Sequence, residues 1–290
     1  MHLFDSHFLK LEWHSLRERL LKRRWVRLAA NTLHQLGKDG VGDMAAGVAY
    51  YALLSVFPLL LGAIALLGLF LPSDVVQREL FAFFGRHLPT SVSLLEENIS
   101  GIVALRGTLG VLSLLGLFWS GSAIFGAVGR AVNRAFDIYK FRPFLVRRLR
   151  DMLLAIGTSV LFFLSLGLKT TLVFLEAIEA PSLRVLTAIF GQLLAFSIMV
   201  LVFLLIYRFM PFTRVRWRHV WPGAIMTSVL FEVSRTLFVL YVGRFANYEL
   251  VYGSIASIVV FMVWMYLSAF ILILGAEFIS EYAKMAHDTR

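Results

Sequence analysis

The chain has 290 residues, 59% hydrophobic and only 16% charged, with a mean hydropathy of +0.78, which excludes a soluble globular domain, where about a quarter of the residues are charged. The absence of cysteine excludes a disulfide framework, a thiol nucleophile and a thiolate metal site. The formal net charge of +10 calls for anionic surroundings.

Residues 1–40 read as a basic, amphipathic cytoplasmic N-terminal arm. Leu9, Trp13, Leu16 and Leu20 recur at helical spacing, with Arg17, Arg19, Lys22, Arg23 and Arg24 between and after them. Such a helix either lies among lipid headgroups, its bases snorkelling toward phosphates, or packs on the protein's own inner loops. The arm is charged rather than apolar, so no cleavable signal peptide is read and the first span is expected to serve as insertion signal.

Six apolar stretches follow: Met44 to Leu71, Thr108 to Val128, Met152 to Leu175, Val185 to Met210, Val220 to Val242 and Ile255 to Ile279. Each meets the roughly 20 residues a helix needs to cover about 30 Å of hydrocarbon. None shows the period-two alternation of a barrel strand. The expected fold is all-α: a polytopic membrane protein with six transmembrane helices forming one domain over residues 41–282, followed by a C-terminal tail at 283–290. The outer loop 72–106 carries apolar clusters at Leu80, Phe81, Phe83 and Phe84 and at Leu94 and Leu95, divided by Pro89, and forms either a cap or a lid.

Lysine and arginine set the orientation, because positively charged loops resist translocation. Eight precede the first span, seven lie between Arg130 and Arg150, four between Arg208 and Arg218, and two in the C-terminal tail, against five on the opposite side. Both termini are therefore expected in the cytoplasm. The bases flank membrane in four separate segments, so anionic lipid headgroups at the cytoplasmic face are the expected partner, and nucleic acid is not.

In the first span Ala45, Ala46, Gly47 and Ala49 precede Tyr50, Tyr51 and Pro58. Small residues admit a neighbouring helix and the proline frees a carbonyl, giving either a static kink or a hinge beside a pathway. Gly116 and Ser120, and Ser122 and Gly126, are four apart, a packing signature that leaves a homo-oligomer open. Arg130 and Arg134 stand one turn apart on one helical face and, with Asn133 and Arg142, make a candidate site for an anion or headgroup; the alternative is topology alone.

Glu232 lies about 12 residues inside the fifth span, near the bilayer midplane at about 1.5 Å per residue, with Arg235 on the same face. A charge there costs at least a few kcal/mol and needs a partner or water. Glu232, Arg235, Tyr50, Tyr51 and Pro58 are thus candidates for a transport or ligand site, the alternative being a structural Glu232–Arg235 pair. The seven histidines are scattered, with no HExxH spacing, GxxxxGK[ST] loop or GxSxG elbow. No enzyme, cofactor or metal centre is expected.

The stretches AAGVAYYALLSVFPLLL (Ala45 to Leu61), Gly129 to Phe136 with Arg142 and Pro143, YRFMPFTRVRWRHVWP (Tyr207 to Pro222) leading to Glu232, and Tyr252 to Glu277 resemble the YihY/BrkB family of bacterial inner-membrane proteins. The resemblance covers roughly residues 35–282 and implies six spans with both ends inside. It places Tyr50, Tyr51, Pro58, Arg130, Asn133, Arg134, Arg142, Pro143, Glu232, Tyr252, Gly253 and Glu277 at family motif positions. The family has long carried a ribonuclease BN label, but this chain has no HxHxDH-type metal site for hydrolysing RNA. The resemblance implies a multi-pass inner-membrane transporter or permease for a lipid-like amphiphile or small solute, linked to envelope integrity. The alternative is a non-transporting membrane scaffold or regulator of envelope assembly.

Overall fold

The computed structural model describes residues 24–70, 122–139, 149–154, 184–244 and 255–288, together with 146, 157 and 161, and their side chains except at 56–70, 184–189, 244, 257 and 287–288. The arm up to residue 23, the outer loop 72–106, most of the second and third expected spans, and Arg142, Pro143, Tyr252 and Gly253 lie outside the described residues, as does the side chain of Pro58.

Every long regular element among the described residues is an α-helix. They are α1 (Arg24–Lys38), α2 (Val41–Phe70), α3 (122–135), α4 (Arg184–Phe209), α5 (Trp217–Arg244) and α6 (Ala256–Asp288). Helices α2, α4, α5 and α6 have 30, 26, 28 and 33 residues, which at about 1.5 Å each gives roughly 39 to 50 Å. Within them, Phe190–Phe209, Trp217–Gly243 and Ile258–Ala286 are long and apolar enough to cross a membrane. The protein is therefore an all-helical membrane protein, with three such spans among the described residues.

Two tight turns fix the entries into the bundle. Gly40, at φ 65°, ends α1 in the left-handed conformation that glycine adopts without steric cost, and α2 starts at the next residue. Asp137, at φ 57°, plays that part after α3, where the Ile138 N–H donates to Asn133 O at 2.9 Å and the Asp137 N–H to Arg134 O at 2.8 Å. Lys284 Nζ, 2.9 Å from Asp137 Oδ2, holds that cap against α6.

Helices α4, α5 and α6 meet where small residues remove bulk. The Tyr207 hydroxyl lies 2.8 Å from Leu272 O and 3.0 Å from Thr227 Oγ1, sharing its hydrogen between them. Thr227 in turn donates to Gly223 O at 2.8 Å, and Ser228 to Ala224 O at 2.8 Å, so these three hydroxyls are satisfied within the bundle. A Cβ on Gly275 would stand under 3.0 Å from both Thr227 Oγ1 and Tyr207 Oη, and one on Gly223 would collide with Ile279. Further along, Phe203, Phe231, Trp264 and Phe238 meet in edge-to-face and tilted contacts with centroid separations of 5.9, 5.4 and 5.1 Å.

The outward side of α5 carries Trp221, Ile225, Val229, Val233 and Leu237 at intervals of four, each about half exposed. An apolar stripe so exposed suits lipid rather than water. Helix α1 packs on α6, with Trp25 stacked on Tyr282 at 6.2 Å and Asn31 donating to Glu281 at 3.4 Å. This part of the basic arm thus rests on the protein itself.

The contacts bring together the start of α2, the end of α3, the end of α4, the start of α5 and the C-terminal part of α6. The bases of α1, Arg130, Arg134 and Arg150, the bases of 208–218 and Lys284 belong to the segments that meet here, and this end is called below the basic end.

Replacing Gly275 with alanine puts a methyl group onto Tyr207 and Thr227, which overpacking penalises by about 1–3 kcal/mol. Gly275→Ala is expected to lower the unfolding temperature in detergent measurably, whereas Gly37→Ala, where a Cβ meets nothing within 4 Å, leaves it unchanged or higher. Unfolding followed by intrinsic tryptophan fluorescence checks this.

Candidate functional site at the basic end

A cleft with a volume of about 410 Å³ opens at the basic end between the start of α2, the end of α3, the 149–154 helical turn and the segment after α4. Its walls combine Met44, Val48, Ala127, Ala131, Met210 and Phe212 with the guanidinium-bearing residues Arg130, Arg134 and Arg150. Apolar walls with a few cationic groups are the composition expected of a pocket for an amphiphilic anion.

Small residues make room for the cleft. Gly47 of α2 lines it, with nothing within 4 Å of the position a Cβ would take. Gly126 and Gly129 form the facing wall of α3, where added Cβ atoms would stand 3.5 and 3.7 Å from the carboxylate oxygens of Asp151. The buried Asp151 carboxylate therefore lies against the glycine face of α3, on the side where Arg130 Nη1 also approaches Gly126.

Each arginine is oriented differently. Arg130 sits over the Tyr51 ring, 5.4 Å from its centroid, an arrangement that holds a guanidinium while leaving its N–H groups available. Arg150 donates to Pro211 O at 2.9 Å and lies 4.9 Å from the Phe212 ring centroid. Arg134, half exposed, has its Nε 3.9 Å from Asp39 Oδ1, an ion pair looser than a hydrogen bond.

Asn133 lines the cleft but engages its amide in fixing the backbone. Its Nδ2 donates to Gly129 O at 2.6 Å and Met210 O at 3.4 Å, while Oδ1 accepts from the Phe212 N–H at 2.8 Å. It ties the end of α3 to the turn after α4 and so positions Met210, Phe212 and Arg150.

The structure thus brings together Tyr51, Arg130, Asn133 and Arg134, all singled out by sequence. Tyr50 is 54% exposed and meets Tyr51 in an edge contact at 5.9 Å. Glu277 is fully buried in the C-terminal part of α6. Glu232 and Arg235 are not in the cleft lining; they pair with each other on α5, their side chains 35% and 52% exposed. Sequence reasoning counted Arg150 only toward topology and passed over Asp39 and Asp151. The available signal was an acid close ahead of a span within an otherwise basic stretch, directly before it at Asp151 and five residues before it at Asp39.

A family model described as virulence factor BrkB matches residues 32–290. The chain belongs to this family. Among relatives, a UPF0761 membrane protein of Pseudoalteromonas atlantica is 29% identical over 243 residues, covering 83% of this chain and 80% of its own length. UPF0761 membrane protein PSHAa0171 of Pseudoalteromonas translucida is 28% identical over 241 residues, covering 82% and 80%. YfkH of Bacillus subtilis, named a ribonuclease-like protein, is 30% identical over 241 residues, covering 80% and 86%. No solved structure matches. The BrkB family membership and the membrane-protein names of the relatives agree with the spans described above.

The Glu232–Arg235 pair distinguishes a chemical role from a structural one. If the pair is structural, Glu232→Gln alone strands the arginine and lowers stability, and combining it with Arg235→Gln restores both folding and activity. Loss of envelope function in the double variant with normal expression would instead mark Glu232 as a site.

Proposed function

We propose that this BrkB-family protein is an inner-membrane transporter or permease whose basic-end cleft receives the anionic headgroup of a lipid-like amphiphile. The observation that carries the reading is the approach of Arg130, Arg134 and Arg150 to one apolar-walled cleft of about 410 Å³. Guanidinium groups suit phosphate, sulfonate and carboxylate through paired N–H donors. The exposed Tyr139 and Tyr51 stand at its margin, where amphipathic rings meet a headgroup layer.

The topology we assign has six spans with both termini in the cytoplasm, so the cleft faces the cytoplasm. Two observations support it: the excess of bases at one end, and the meeting there of the starts of α2 and α5 with the ends of α3, α4 and α6, the parity a six-span chain requires. Substrate enters as a headgroup between α2 and α3 with its apolar tail along the outer helix faces. We read the protein as non-enzymatic; the ribonuclease-like name belongs to YfkH.

A scaffold or regulator of envelope assembly is the second reading. What favours it is that Glu232, the charge deepest in its helix, meets Arg235 and not the cleft.

Arg130→Gln and Arg134→Gln, each removing charge-assisted hydrogen bonds worth about 1.5–3 kcal/mol, are expected to weaken binding of a fluorescent anionic amphiphile to the protein in phosphatidylcholine nanodiscs by about tenfold or more. Membrane insertion remains intact because the other bases still set orientation. Wild-type affinity in the double variant would leave these arginines a topological role only.

A further inference from the structure

Behind the cleft lies a second polar cluster that the anion reading leaves unused. Glu277 of α6 is fully buried, and among the described residues neither of its carboxyl oxygens meets a hydrogen-bond donor. Asp39, 5% exposed, presents its carboxyl within hydrogen-bonding reach of Glu277, and Asp39 Oδ2 also lacks a donor among the described residues. Ionised carboxylates accept hydrogen bonds and donate none. Two of them packed together away from water are stable only with a cation or a proton between them.

The surroundings limit which it can be. Lys284 donates to Asp137 at 2.9 Å, on the turn after α3, and to Glu281 at 2.7 Å. Glu281 also accepts from Asn31 of α1 at 3.4 Å. From α5, His219 turns its ring edge to Tyr282 and accepts from Arg218 at 3.2 Å; Asp43 at the start of α2 is exposed. The cluster therefore sets four carboxyls, Asp39, Asp137, Glu277 and Glu281, against two cations, Arg134 and Lys284. Among the described residues no group of three or more acidic or histidine side chains is placed to hold a metal ion. A proton needs only two oxygens.

Arg134 connects the cluster to the cleft, since it lines the cleft while its Nε faces Asp39 Oδ1. We propose that Asp39 and Glu277 share one exchangeable proton, and that Arg134 couples this proton to the anion in the cleft. This rests on the anion-binding reading above. When Arg134 turns to a bound anion, Asp39 loses its cation, and one H⁺ from the cytoplasmic side forms an O–H on one carboxyl that donates to the other. When the anion leaves, Arg134 returns and the proton is held less tightly, so that without anion the O–H forms only at lower pH. One negative and one positive charge enter together, so the site's net charge is unchanged. By linkage, proton and anion strengthen each other's binding by the same factor. Anion affinity is therefore high at low pH and falls as pH rises, approaching about tenfold per pH unit for one linked proton.

The test uses the full chain in phosphatidylcholine nanodiscs and has two arms. Without any anion, infrared spectra of the wild type minus Glu277→Gln are expected to show a protonated-carboxyl C=O band that grows as pH is lowered from 9 to 5; Asp39→Asn serves in its place should Glu277→Gln not fold. Absence of that band overturns the proton site whatever the cleft binds. The second arm titrates decanesulfonate, whose charge is constant over this range. Wild-type affinity is expected to fall with pH up to the one-proton limit, and Glu277→Gln to bind without a slope. A slope retained in Glu277→Gln overturns the proposal. A band without decanesulfonate binding to the wild type overturns the coupling and counts against the anion cleft itself, and a dependence on sodium in place of pH overturns the choice of proton.

Discussion

The approach of α4, α5 and α6 around Tyr207 is the constraint on which the rest of the described structure depends. Hydrocarbon offers no water to satisfy a polar group, so helices that cross it must complete their hydrogen bonds internally. They also gain little by burying apolar surface against each other when lipid is equally apolar. Close packing and a few enclosed polar contacts therefore hold them together. Gly275 and Gly223 supply the closeness, and the Tyr207 hydroxyl, Thr227 and the Leu272 carbonyl supply the contacts. Their positions fix where α4 ends and α5 begins, and hence where the 210–212 segment lies.

That segment links the bundle to the cleft. Asn133 holds Met210 and Phe212 against the end of α3, and Arg150 bonds Pro211 beside them. Two walls of the cleft, the end of α3 and the 149–154 turn, are therefore pinned by polar contacts to the same short backbone stretch. Asp39, Asp137, Glu277 and Lys284 continue the polar region toward α6. The chemistry collects at one end because charge is tolerated there, while the middle of the bundle carries aromatic contacts such as Phe231 with Trp264.

Much of this was legible in the sequence where the signal is one-dimensional. Hydropathy placed the fourth, fifth and sixth helices within a few residues of Arg184–Phe209, Trp217–Arg244 and the start of Ala256–Asp288. The end of the last was not legible: the helix runs on past Ile279 because Glu281 and Lys284 find partners on α1 and after α3, contacts invisible to a hydropathy window. The i, i+4 relation of Arg130 and Arg134 followed from helical spacing, but the approach of Arg130 to Tyr51, a residue the sequence had grouped with Glu232, required the fold. Asp39 could not be linked to Glu277, 238 positions away, without the fold. The place of Glu232 well inside its helix followed from counting residues, but that does not say which way a side chain turns, and Arg235 is its neighbour on α5.

The central claim is that a cleft at the cytoplasmic end takes an anionic headgroup. The absence of native cysteine allows it to be examined with a single thiol placed at Gly47, which lines the cleft with open space before it. In membranes of known sidedness, a membrane-impermeant maleimide should modify Gly47→Cys only from the cytoplasmic side. The reaction should be several-fold slower in phosphatidylglycerol than in phosphatidylcholine. Modification from the outer side, or equal rates in the two lipids, would contradict the account.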